Sequence, residues 1–361
     1  MRVEARVQLR GRTVQSVQAV LTSRRALLLT VLLLLTAVLV LQTRTPIQPP
    51  PMVNGVSQIP PTPAPETLTH PLRSCLPTQH GDRTMHDLEV AIAQRVRQAK
   101  AQGVRRVGVR IADLNSCEHL TLGAQELFIP ASLMKVPVAV AWLRKLGTGA
   151  HALEQVRLTY NLPPAITAPN EPVDAQALQP GQSYTVRTLL ERMLIGSAND
   201  ALNLLGMQVP PQQFEEIWSE LGVKPLRLAP EVEVTVEDMA AMFQALYDGN
   251  WLNRQGSAML LGWLAQAKWQ EGLQARLPAN AVVAHKYGIR YLQDALHPET
   301  WNADVPALQL GDCGIVYKPN QPMLVCVMTE GQSLAAVQTL IADVARMAWD
   351  QGQGLEIVAG R

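Results

Sequence analysis

Residues that read as β-strand are confined to two parts of this chain, and the long stretch between them reads as helix. Across Arg106 to Ala112 the apolar residues Val107, Val109 and Ile111 alternate, Asp113 to Ser116 make a turn, and His119 to Leu122 returns, which is the pattern of a β-hairpin. From Ser132 to about Leu277 the pattern is helical, broken by turn clusters at Pro163 to Pro172, Pro180 to Ser183 and Pro210 to Pro211. Strand signals resume at Val282 to Ala284, Cys313 to Tyr317 and Leu324 to Met328. A helix with Leu88, Ile92 and Val96 on one face, His86 to Ala101, precedes the first hairpin, and a second, Leu334 to Trp349, follows the last strand. Strands linked as hairpins at both ends of the region predict an α+β fold of the α/β sandwich type. Its five-stranded antiparallel sheet is covered by the N- and C-terminal helices, and an all-helical lobe, about 132–280, is inserted between the second and third strands.

The 361 residues include segments that such a body does not need. Residues 1–23 carry Arg2, Arg6, Arg10 and Arg12 against Glu4, and Arg24 and Arg25 stand before an apolar run, Ala26 to Leu41, broken only by Thr30 and Thr36. Residues 24–43 therefore read as a transmembrane segment, long enough to span a bilayer core. No small-x-small cleavage site follows it, so it is expected to remain as a signal anchor with the basic tail cytoplasmic. Residues 44–79 include PIQPPPMVNGVSQIPPTPAPETLTHP, a semi-rigid spacer with little to bury. The body, 80–361, is then expected on the extracytoplasmic side of the cell membrane.

The formal net charge of +1 includes the basic tail, which leaves the body without the polybasic face that nucleic-acid binding needs. All four cysteines, Cys75, Cys117, Cys313 and Cys326, lie beyond the anchor, where an oxidising compartment permits pairing. A hairpin with Tyr317 opposite Pro322 sets Cys313 opposite Cys326, either as a cross-strand disulfide or as two small core residues; Cys75 with Cys117 is the pairing left over. Neither C-x-x-C nor H-E-x-x-H spacing occurs, so no metal and no cofactor is expected.

Three motifs carry the chemistry. Ser132 and Lys135 are three residues apart where the helical lobe begins, which puts a hydroxyl and an amine on one helical face. A lysine can take a serine's proton if burial and a second cation disfavour its charged form. On this spacing alone, the reading of Ser132 as a helix N-cap would win. Ser197-Ala198-Asn199 follows an apolar helix end, either as a capped turn or as a proton relay with an amide that holds the substrate's acyl side chain. His285-Lys286-Tyr287-Gly288 lies at the expected end of a strand, where a lysine usually just protects an edge.

Taken in order, the three resemble the S-x-x-K, S-D-N and K-T-G elements of class A β-lactamases and penicillin-binding DD-peptidases, and the resemblance extends from about Leu88 to Trp349. It implies that Ser132 attacks a β-lactam or D-alanyl amide to give an acyl-enzyme, with Lys135 as base or relay and Ser197 protonating the departing nitrogen. Lys286 would supply positive potential to Ser197 and to a substrate carboxylate. Ser132 and Ile289 would donate the oxyanion-hole N–H groups, while Gly288 lets substrate lie close along the strand. Three departures follow. Glu231 and Glu233 are the available deacylating bases, held by Asn203, but neither stands in an E-x-x-x-N setting. Ala198 replaces the aspartate of the second motif. Tyr287 replaces the small hydroxyl residue, with a ring expected to protrude where a carboxylate docks, and the long connection from Ile289 to Asp312, with His297 and Trp301, is expected to overhang the site. A competing expectation is a membrane-tethered binding module that keeps the fold without turnover.

Overall fold

The computed structural model describes residues 68–70, 81–163, 177–223, 232–292 and 307–351. The basic tail, the apolar run and nearly all of the proline-rich spacer fall outside these residues. Among the described residues no helix is long and apolar enough to cross a membrane.

Helix α1 (Gly81–Ala101) leads into strands β1 (Val104–Asp113) and β2 (His119–Leu122). The lobe holds α2 (Lys135–Leu146), α3 (Ala150–Gln155), α4 (Val186–Ile195), α5 (Asn199–Gly206), α6 (Pro211–Ser219), α7 (Val236–Tyr247) and α8 (Arg254–Leu264), with a small ribbon of β3 (Arg157–Thr159) and β4 (Ser183–Thr185). Strands β5 (Val282–Leu292), β6 (Ala307–Tyr317) and β7 (Met323–Gly331) and helix α9 (Leu334–Asp350) close the fold. The sheet order is β2-β1-β7-β6-β5, every pair antiparallel, which is the expected α+β sandwich with its inserted lobe.

Side chains set the lobe's helix starts. Thr235 Oγ1 accepts the Asp238 N–H and Asp238 Oδ2 accepts the Thr235 N–H, a capping box that opens α7. Thr185, Asn253 and Ser333 cap α4, α8 and α9 in the simpler way. Two apolar cores flank the sheet: one joins Ala284, Ile315, Leu324 and Met328 to the lobe, the other joins Val109, Val283, Leu310 and Val327 to α1 and α9.

The C-terminal strands are longer than their sequence signals. β7 is buried along its whole length, so it reads as an unbroken apolar run, and β6 carries Gln309, Gly311, Asp312 and Gly314 inside the strand, which hide its period. The polar residues among these are paired: Gln309 Oε1 accepts the Ile129 N–H at 2.7 Å and Gln309 Nε2 donates to Glu330 at 2.9 Å. β5 and β6 pair without a break from Val282↔Tyr317 to Leu292↔Ala307. His285 to Gly288 therefore lie within a strand, not at its end. The connection expected from Ile289 to Asp312 shrinks to 293–306, and His297 and Trp301 lie outside the described residues. The β3–β4 ribbon, three residues a side, is too short to show a period in sequence.

The expected hairpin register holds. Cys313 faces Cys326 across β6 and β7, and the two form a disulfide. Cys117 is disulfide-bonded as well, while Cys75 lies outside the described residues.

Candidate active site

The segment that carries Ser132 is fixed before the lobe begins. Phe128 and Val234 exchange backbone hydrogen bonds of 2.9 Å, and Ile129 is held by Gln309. Ala131 then takes a φ of 46°, a left-handed value that costs a non-glycine residue on the order of 1 kcal/mol or more. A 3-10 turn, Ala131–Met134, presents Ser132, and α2 starts at Lys135. Strand β5 packs directly on this turn. A Cβ on Gly288 would lie 2.3 Å from the Pro130 carbonyl oxygen and 2.9 Å from the Ser132 nitrogen, so only glycine allows the approach. The glycine expected to make room for substrate thus makes room for the protein's own Ser132 turn.

Lys135 is the hub. Its ammonium, with no exposed surface, lies 2.8 Å from Ser132 Oγ, 2.9 Å from Ser197 Oγ, 2.5 Å from the Ser197 carbonyl oxygen and 2.7 Å from Asn199 Oδ1. Three hydrogens are shared among these four oxygens. Lys286 Nζ reaches the same Ser197 Oγ from β5 at 2.9 Å and also donates to the Tyr287 carbonyl oxygen at 2.9 Å. Three stretches of chain far apart in sequence therefore converge so that one hydroxyl stands between two buried amines. Burial and a like charge nearby both disfavour the charged form of an amine.

Ser197 owes its place to an unusual helix end. After α4 the chain passes through Gly196 and turns at Ser197 with φ 59°, the left-handed position that glycine normally fills. The glycine stands one place early, so the serine bears the strain and its hydroxyl is turned to Lys135. Asn199 opens α5 with its carbonyl oxygen already engaged by Lys135.

Tyr287 does not protrude. The residue is 3% exposed, and its ring stacks on Trp269 with centroids 4.1 Å apart and an interplanar angle of 27°, in the core beside α1 and α9. Lys286 Nζ lies 4.1 Å from the ring centroid, a cation–π contact between neighbours on β5, the last strand of the sheet order.

Sequence reasoning missed the support beneath this strand. Buried His285 donates from Nδ1 to Asp312 Oδ1 at 2.8 Å, and Asp312 Oδ2 accepts the Leu273 N–H at 2.9 Å. A Cβ on Gly272 would lie 2.2 Å from that carboxylate oxygen, so Gly272 is what lets the loop from Trp269 to Leu273 close over β5 and β6. The signal was a histidine two residues before Tyr287 with a lone aspartate in an apolar run, a pairing that only the strand register reveals.

Of the two candidate deacylating bases, one falls among the described residues. Glu231 lies outside the described residues, and Glu233, half-buried beside the Phe128–Val234 bridge, makes no hydrogen bond or ion pair with a described residue. Asn203 is exposed on α5 and does not reach it. Ile289 follows Gly288 on β5 opposite Leu310.

The sequence model of the β-lactamase enzyme family matches residues 87–351. This chain belongs to that family. A β-lactamase from Streptomyces cellulosae is 28% identical to this family member over 213 residues, 55% of this chain and 68% of the relative. The crystal structure of a β-lactamase from Sphaerobacter thermophilus superposes with a TM-score of 0.60 at 24% identity, covering 73% of this chain and 97% of the other. The solved structure of PBP-A gives a TM-score of 0.58 at 22% identity, covering 74% and 97%. The family assignment thus rests on the sequence match, and the structural likenesses show the same fold.

Proposed function

We propose that this family member is a serine hydrolase that forms an acyl-enzyme on Ser132 with β-lactams or D-alanyl peptides. The contact of Lys135 Nζ with Ser132 Oγ and Ser197 Oγ together carries the reading. A neutral Lys135 takes the Ser132 proton as the oxygen attacks the amide carbonyl carbon. The oxyanion is met by the N–H groups of Ser132 and Ile289. On collapse the C–N bond breaks, Ser197 gives its proton to the departing nitrogen, and Lys135 returns the proton it took to Ser197. Asn199 and Gly288 border the acyl group, and Lys286 stabilises Ser197 as its proton leaves.

Water must then cleave the ester. Neither Glu231 nor Glu233 stands in the E-x-x-x-N setting of class A β-lactamases, which supports slow deacylation and favours a penicillin-binding peptidase over an efficient β-lactamase. The binding-module reading is disfavoured because two buried amines around two serines bring little stability of their own.

Incubation with a fluorescent penicillin, followed by intact mass, tests this. One covalent adduct that persists for minutes and is absent in Ser132→Ala is expected. Adduct formation that survives Ser132→Ala overturns the assignment, and clearance in seconds moves the chain to the β-lactamases.

We further infer that residues 24–43 anchor the protein in the cell membrane with the body extracytoplasmic. The arginines before the apolar run support the orientation, and the Cys313–Cys326 disulfide supports an oxidising compartment. Alkaline extraction of membranes, with protease added outside, checks both: release into the supernatant overturns the anchor.

A further inference from the structure

A cation that recognises a substrate carboxylate must present an open donor, because a charge-assisted hydrogen bond needs contact at about 2.8 Å. Lys286 does not present one. Lys286 is 1% exposed, and its ammonium donates to Ser197 Oγ and the Tyr287 carbonyl oxygen, with the Tyr287 ring 4.1 Å from it. The ring is held by its neighbours. Trp269 stacks on it, and the loop that carries Trp269 is tied down through Leu273, Gly272 and Asp312. Swinging Tyr287 aside would break a stack within a filled core.

We propose that Tyr287, braced by Trp269, is the specificity-determining residue of this site. It covers the Lys286 ammonium with an aromatic face and leaves the enzyme indifferent to a carboxylate on its substrate, so that neutral amides, lactams and esters are acylating substrates as good as anionic ones. This rests on the acyl-serine reading above. Lys286 keeps its role toward Ser197, and the ring replaces the small hydroxyl that the related motif supplies beside that lysine.

The test is a pair of substrates that differ in the one group: a penicillin and its methyl ester, each timed for covalent acylation of the full chain by intact mass. Acylation rates for acid and ester within about threefold of one another are expected, since no charged hydrogen bond separates them. Tyr287→Thr uncovers the amine and raises the acid-to-ester ratio by about tenfold or more, and Tyr287→Phe, which keeps the ring, leaves the ratio unchanged. An unsubstituted chain that prefers the acid by more than about tenfold overturns the proposal without recourse to any variant. Acylation by neither compound overturns the acyl-serine reading and this inference with it, so the two failures are distinguishable. Should Tyr287→Thr fail to fold, Trp269→Leu removes the brace alone, and an unchanged acid-to-ester ratio in it overturns the role given to the stack.

Discussion

Lys135 and Lys286 bring the same chemical group to the same oxygen from two regions built by different rules. On the lobe side the amine is surrounded by oxygens: Ser132, Ser197 and Asn199 all lie within hydrogen-bond reach, and two of the backbone turns that place them are left-handed. On the sheet side the amine meets one hydroxyl, one carbonyl oxygen and an aromatic face, supplied by a strand whose backbone is regular. The lobe places its amine beside strained turns, whereas the sheet holds its amine by burial and against a stacked ring. On the proposed reading, proton transfer falls to one region and fixed potential to the other.

The largest effect that can break this division is loss of the lobe-side amine. Lys135→Met is expected to slow acylation by about 100-fold to 10,000-fold, the range for removal of a positioned general base. Rapid-quench intact mass measures it. Lys286→Met removes one charged hydrogen bond to Ser197 and is expected to cost only about 10-fold to 100-fold. Equal losses for the two lysines would erase the distinction between them.

Gly288→Ala probes the seam between the regions. With the new methyl 2.3 Å from the Pro130 oxygen, the strand or the Ser132 turn must shift, at about 1–3 kcal/mol of stability and with slower acylation. A thermal melt that does not move would show that the seam is loose. Thr235→Ala, which removes the α7 capping box, is the smallest: about 1 kcal/mol by urea unfolding, with the acylation rate retained. A matching loss of rate would mean that lobe stability, and not local geometry, governs the site.

Much of this was legible in sequence because it depends on spacing alone. Alternation in β1, a three-residue step from Ser132 to Lys135, and a hairpin register that paired Cys313 with Cys326 are all counted along the chain. What was missed depends on contacts between distant segments. The length of β6 was hidden by Gln309 and Asp312, whose partners, Ile129, Glu330, His285 and Leu273, lie in other elements. Tyr287 was expected in the open because nothing in sequence connects it to Trp269. Strain at Ala131 and Ser197 was equally invisible, since neither residue type announces a positive φ.

The unbroken pairing of β5 on β6 has a consequence for how such a site can fail. Neighbouring residues of a strand leave opposite faces, so a slip of one place would hand the lobe a phenol and send the ammonium into the far core. Every hydrogen bond of the ladder could survive that error while the chemistry vanished. Misfolded molecules of this kind would carry native-like strand content and no reactive serine, and a count of labelled against total protein after refolding would reveal them.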